Sequence, residues 1–363
     1  MEIEASKKEE ATLTSAKFPW CRRKIKKYVQ TARMPRFSLD HLLAKQVTEY
    51  ILDPKNRQLA FQVNDEELWQ LYERQLECFW QPAEIEATRD QGWDTLNDNE
   101  RTFIAQILAF FATADGIVFD NIEMNFTTEV QITEAKFFYG MQSFMENIHS
   151  QVYMSLLTSY VKDKTEQTRL IGAINSIPTI KKKADWAIRH FDATSIPFAL
   201  RLIAFAIVEG VYFSSAFASI FWLKKYKKGM LEALTLSNSF IARDEGLHCE
   251  FAVALFHRLE NTPLQESVHA VFREAVDLEL DFVKEILNAS VVGMNCNKLC
   301  LYVKFVADRL LSQLGYEPLY GITDCPLHFM ETQSMRVTTN FFESKVTEYA
   351  LASGGKYSAD AEF

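Results

Sequence analysis

The sequence predicts an all-α fold, a large helical bundle, and three observations point there. Glycine (12) and proline (9) are scarce among the 363 residues, which argues against many short strands joined by tight turns. The stretches 83–177 and 198–262 contain no proline, and long proline-free segments with apolar residues at helical spacing are what a bundle requires. Hydrophobic residues make up 48% of the chain and include 28 Phe. A chain of this length can bury a large core, and here that core is expected to be filled with aromatic rings.

Residues 1–64 read as an N-terminal arm, partly disordered. Between Lys17 and Arg36 it carries eight basic residues and no acidic ones, expected to be a solvated segment. Glu2, Glu4, Glu9 and Glu10 in front of it argue against a mitochondrial presequence, which is acid-poor. A helix with an acidic first turn begins at Asp65-Glu66-Glu67-Leu68-Trp69. The apolar spacing then predicts helices over 66–79, 98–125, 128–161, 166–176, 181–190, 196–225, 228–259, 264–288 and 295–314. Residues 65–349 are read as the helical domain. After Tyr316 the pattern turns irregular, and the small polar residues 350–363 read as a flexible tail.

A net charge of −9 gives no electrostatic footprint for nucleic acid. The six cysteines (Cys21, Cys78, Cys249, Cys296, Cys300 and Cys325) form no C-x-x-C pair and read as reduced thiols of a cytoplasmic protein. Between Arg201 and Lys224 lie 22 residues with a single charge, Glu209, a length that can span a bilayer. No second span accompanies it, so no membrane is expected and the segment is assigned to the core of the bundle. Glu209 then becomes informative, because a buried carboxylate needs a partner and a metal ion is an adequate one.

Two Glu-x-x-His pairs lie on predicted helices, Glu146 with His149 and Glu245 with His248. Residues three apart share a helix face, so each pair can address one ion. Alone the motif is weak, since about one acid-x-x-His is expected by chance in such a composition. A third copy, Glu266 with His269, sits in a polar stretch and is taken as that chance copy. The other two are each preceded by a carboxylate inside an apolar helix, Asp115 in FFATADGIVF and Glu209 in AFAIVEGVYF. The intervals are 31 and 36 residues, and the half-sites are offset by 94 and 99. Four carboxylates and two imidazoles from four helices form the donor set of a dinuclear metal-carboxylate centre. Hard oxygens with one imidazole per ion suit iron or manganese, and the lack of thiolates disfavours structural zinc. Tyr153 lies one helical turn beyond His149, on the same face.

The strings MENIHS, ARDEGLH, KKKADW, FASIFWLKK, EVQITEA and NFFESKVTEY, spread over residues 66–349, resemble the radical-generating small (β) subunit of class I ribonucleotide reductase of eukaryotic type. The resemblance implies a ferritin-like bundle, usually a homodimer, with two iron ions (manganese being possible) held by Asp115, Glu146, His149, Glu209, Glu245 and His248. It places a stable tyrosyl radical on Tyr153, made with dioxygen, and radical-pocket walls at Phe213 and Phe217. It implies transfer of the oxidising equivalent through Asp244, Trp80 and Tyr349 to the large subunit, where ribonucleoside diphosphates are reduced to deoxyribonucleotides. The closing Tyr357-Ser358-Ala359-Asp360-Ala361-Glu362-Phe363 is similar to the family's acidic, Phe-ended docking peptide for that subunit, though its composition departs from the commonest eukaryotic tail. This chain shows no phosphate-cradling glycine loop of its own. Two rival readings are a di-iron storage or ferroxidase protein on the same bundle, and a regulatory paralogue that makes no radical. The second predicts loss of a ligand or of Tyr153, and all are present.

Overall fold

A computed structural model describes residues 36–330 except 46–48, 91, 227–228 and 287–293. The basic segment up to residue 35, Tyr349 and the tail 350–363 lie outside the described residues. Helix α1 is Leu39–Lys45 and α2 is Glu66–Glu77. The long helices α3 (Asp98–Asn121) and α4 (Thr133–Tyr160) follow, then the shorter α5 (Lys164–Ile171), α6 (Ala173–Ser176) and α7 (Pro178–His190). Next come α8 (Phe198–Ile207), α9 (Ser214–Tyr226), α10 (Glu232–Phe256), α11 (Gln265–Ile286) and α12 (Cys296–Gln313). A parallel pairing of β1 (Arg36–Phe37) with β2 (Thr262–Pro263) is the sheet among the described residues.

Helix starts follow local chemistry. Asp65 caps α2 by accepting from Leu68 N–H at 3.1 Å. At α3, Asn97 and Glu100 satisfy each other's backbone N–H groups in a capping box. Pro178 occupies the first turn of α7. The N-terminus of α10 is capped from a distance: Asp90 accepts from Ala233 N–H at 2.6 Å and Leu234 N–H at 3.1 Å. Helix α4 begins later than the apolar pattern predicts: Thr127–Glu129 still continue the preceding helix, Val130 is extended, and Gln131 N–H donates to Ile51 O at 2.8 Å.

Helix α3 packs along α4, α8 and α9 pack along α10, and α10 crosses to α4. These form the centre of the bundle, with α2 laid across α4 and α10. The predicted helix 196–225 departs from expectation. It is interrupted by a π-helical turn, Val208–Tyr212, between α8 and α9; a second such turn, Ile122–Phe126, follows α3. The expectation that no second apolar span accompanies residues 201–224 is corrected: among the described residues two segments are apolar enough to cross a membrane, Asp98–Glu129 and Phe198–Tyr226, and the second is almost wholly buried. That is the environment of a core helix.

Candidate metal centre

Periodicity carries the six predicted ligands inward. Asp115 comes from α3, Glu146 and His149 from α4, Glu209 from the π-helical turn, and Glu245 and His248 from α10. None is more than 2% exposed. Donor atoms of Asp115, Glu146 and His149 lie within 4.8 Å of one another, and so do those of Glu146, Glu209, Glu245 and His248. The third Glu-x-x-His copy is elsewhere: His269 sits at the surface, 2.8 Å from Glu317 O.

Two carboxylates are shared. Glu146 places Oε2 at 3.3 Å from His149 Nδ1 and Oε1 at 3.1 Å from His248 Nδ1. Glu245 does the same, with Oε1 at 3.1 Å from His149 Nδ1 and Oε2 at 2.9 Å from His248 Nδ1. Each imidazole therefore meets one oxygen of each glutamate, while Asp115 and Glu209 flank the two halves. Glu146 thus belongs to both donor groups, and Glu245, a member of the second, also reaches His149 of the first.

The donor set fits a pair of cations. Both oxygens of Asp115 and Glu209 Oε2 are buried without a hydrogen-bond partner, a rare condition in native proteins, and the Glu146 oxygens and Glu245 Oε1 meet the imidazole Nδ1 atoms at 3.1–3.3 Å without hydrogen-bond alignment. Burial, with the charges of Glu146 and Glu245, pushes the Asp115 carboxyl well up. Burial and the Glu245 charge do the same to Glu209. Burial works against charge on His149, yet its contacts with Asp244, Glu146 and Glu245 raise it. His248 is likewise raised, to about 9, chiefly by Glu245 against the cost of burial. Protons thus hold the positive charge this anionic cluster demands, and cations would displace them.

The outer imidazole nitrogens are also engaged. His149 Nε2 is 3.2 Å from Asp244 Oδ2, and Trp80 Nε1–H donates to the same oxygen at 2.7 Å. Arg243 donates to Asp244 Oδ1 at 3.0 Å. Burial raises Asp244, but the Arg243 charge with His149 and Trp80 outweighs it, and the carboxyl is held low. His248 Nε2 faces Gln75 Nε2 at 3.1 Å. Glu209 Oε1 accepts from Gln142 at 2.9 Å. Sequence reading missed both glutamines. Gln142 stands one turn before Glu146 on the ligand face, and Gln75 occupies the buried stripe of Leu68 and Leu71; a polar residue on an apolar stripe was the available signal.

Tyr153 is 2% exposed and its hydroxyl has no hydrogen-bond partner. Burial, then the Asp115 charge, pushes the phenol well up, so it is neutral. Its ring stacks on Phe111 with centroids 4.7 Å apart. Phe111 in turn contacts Phe217 at 4.9 Å and Phe213 at 5.8 Å. The two predicted phenylalanines therefore back the ring that covers Tyr153, and Phe111 went unnoticed in the sequence. Gly210 lets the ligand-bearing turn approach α10: a Cβ there would meet Cys249 Sγ at 2.9 Å.

The family model described as "Ribonucleotide reductase, small chain" matches residues 57–326. The chain belongs to the ribonucleotide reductase small-chain family. This small chain is 44% identical over 315 residues to ribonucleoside-diphosphate reductase subunit M2 of Danio rerio, covering 85% of this chain and 81% of that one. It is 46% identical over 303 residues to the ribonucleoside-diphosphate reductase small chain of Vaccinia virus (strain Ankara), covering 83% and 94%. Among solved structures it resembles the ribonucleotide reductase Rnr4 homodimer of Saccharomyces cerevisiae, with a TM-score of 0.73 and 30% identity over 86% of this chain and 96% of that one. The R2 subunit from Clostridium botulinum shares the fold, with a TM-score of 0.69 and 22% identity over 75% and 89%. The bundle is thus ferritin-like, and the small chain is an oxidoreductase subunit that works with a large subunit.

Proposed function

We propose that this small chain generates a tyrosyl radical on Tyr153 beside a di-iron centre and delivers its oxidising power to the large subunit, where ribonucleoside diphosphates are reduced. The observation that carries the reading is the closure of six buried donors around two shared glutamates next to a buried phenol with an unpartnered hydroxyl. When bound, two iron ions with dioxygen supply the oxidising equivalent; manganese suits the same donors. Asp115, Glu146 and His149 would hold one ion, and Glu146, Glu209, Glu245 and His248 the other.

The chain's residues then have separate tasks. Tyr153 gives up an electron from its ring and a proton from its hydroxyl, and Asp115 is the carboxylate whose charge weighs most on that phenol. Phe111, backed by Phe213 and Phe217, keeps water and reductants from the ring. Asp244 joins the indole of Trp80 to His149, which makes a hydrogen-bonded route outward from the centre. Tyr349 is the proposed relay at the subunit boundary, and residues 357–363 are the proposed docking peptide; both lie outside the described residues. The reading includes a homodimer working in the cytoplasm, where thiols stay reduced.

The test is low-temperature electron paramagnetic resonance after ferrous iron and air. A tyrosyl signal coupled to a metal pair is expected, absent in Tyr153→Phe, which should still bind iron. Removing the unpaired hydroxyl should cost under about 1 kcal/mol of stability. Normal reductase turnover by Tyr153→Phe would sink the proposal. Deleting residues 357–363 should leave the radical and abolish turnover with the large subunit.

A further inference from the structure

Away from the donors, the bundle buries a second set of charges. Lys183 of α7 is 2% exposed and Glu279 of α11 is 0% exposed, and Lys183 Nζ lies 2.5 Å from Glu279 Oε2. Burial pulls Lys183 down to about 8 and pushes Glu279 up, each opposed by the other's charge. The ammonium also sits over the rings of Phe110 at 3.6 Å and Phe282 at 4.0 Å. Replacing such a pair by apolar residues of similar volume is often neutral or stabilising. Stability alone therefore does not account for it.

What the pair grips is specific. Lys183 Nζ donates to Tyr212 O at 3.0 Å, the carbonyl of the last residue of the π-helical turn. On the other side of the junction, Ser215 Oγ donates to Glu279 Oε1, and Ser215 belongs to the first turn of α9. One ion pair thus holds both ends of the point where π-helical geometry returns to α-helical. Glu209 lies three residues before Tyr212. Phe213, the junction residue, contacts Phe110 and Phe111, both at 5.8 Å.

We infer that Lys183, Glu279 and Ser215 form a positioning clamp that sets the π-to-α junction at residues 212–215. Through that junction the clamp aims Glu209 at the metal centre and seats Phe213 against the Phe111 ring that covers Tyr153. Without it, the turn can relax toward a continuous α-helix, which would rotate Glu209 away from its place. The metal-related part rests on the proposed function; the backbone part does not.

The experiment uses the full chain with two changes, Lys183→Met/Glu279→Leu together, which keeps apolar volume, and Ser215→Ala alone, which keeps the ion pair. Hydrogen exchange is measured on the metal-free proteins. Exchange of amides 208–216 should quicken about tenfold in the double variant and less in Ser215→Ala, while α3 and α4 stay near wild type. Anaerobic ferrous titration should show the weaker of the two ions bound about tenfold less tightly in the double variant. Unchanged exchange over 208–216 in a folded double variant, or in Ser215→Ala should the double variant not fold, overturns the clamp. Should wild type bind fewer than two ferrous ions, the metal reading fails, and the exchange result alone decides the clamp.

Discussion

Trp80 donates its indole N–H to Asp244 Oδ2 at 2.7 Å, and that oxygen also faces His149 Nε2 at 3.2 Å. A single carboxylate oxygen therefore serves an aromatic side chain and the imidazole of the proposed ligand His149 together. Because indole N–H can only donate, Trp80 turns toward Asp244. The imidazole, approached on Nδ1 by two glutamates, is oriented with Nε2–H outward.

Asp244→Asn removes the charge that holds both donors. Iron affinity should fall by about 10- to 100-fold. In the reloaded protein the Tyr153 radical should still form, while turnover with the large subunit drops at least about 100-fold. Radical yield by electron paramagnetic resonance, measured beside deoxyribonucleotide formation, separates the two effects. Normal turnover in this variant would remove Asp244 from the relay.

Gln75 addresses His248 as Asp244 addresses His149. Gln75 Nε2 faces His248 Nε2 and Gln75 Oε1 has no partner; metal ligation through Nδ1 would leave the proton on Nε2, and the amide, flipped end for end, would present Oε1 to it. Gln75→Leu should weaken one of the two bound ions by about tenfold and leave the other unchanged. Isothermal titration with ferrous or manganous ion under anaerobic conditions reads this directly, and equal loss at both ions would refute it.

An aromatic patch covers the outer face of α2 and α4. Phe61, Phe137 and Phe144 are 56%, 40% and 50% exposed, and the Trp69 and Tyr72 rings lie against Phe137. Contiguous exposed apolar surface marks an interaction site, and a second copy of the chain is the proposed occupant. A Phe137→Glu/Phe144→Glu variant should sediment as a monomer at micromolar concentration and retain its helical circular dichroism. A dimer unaffected by both changes would place the interface elsewhere.

Asp65 carries a pH signature. Burial raises its carboxyl, but the hydrogen bonds from Arg258, at 2.7 and 2.8 Å, and from Leu68 N–H outweigh that, and it is held below its usual value of 3.8. A depressed carboxylate stabilises the fold above the unfolded-state value, and that contribution is lost as pH falls through the folded value. Asp65→Asn keeps a cap acceptor for Leu68 N–H but loses the carboxylate that pairs with Arg258, and should cost up to about 1 kcal/mol at pH 7. The gap from wild type in urea denaturation should narrow only below about pH 4. A pH-independent gap would show that the charge contributes nothing.

Much of the centre was legible in the chain because helical ligands obey short rules. Glu-x-x-His is a spacing along one helix face, and a lone acid inside AFAIVEGVYF or FFATADGIVF stands out against apolar neighbours. All-α class, the centre-forming helices and the six donors followed from periodicity and residue chemistry. Helix ends were less legible where distant groups set them, as with Ile51 holding Gln131 and Asp90 capping α10. No local rule announces the π-helical turn at Val208–Tyr212, since its residues suit an α-helix and the register is held by Lys183 and Glu279 from other helices. Which carboxylates meet both imidazoles, that Phe111 stacks on Tyr153, and that Gln75 and Gln142 contact His248 and Glu209 were likewise decided by tertiary structure. Those relations depend on distances between helices, and a sequence records spacing only along one.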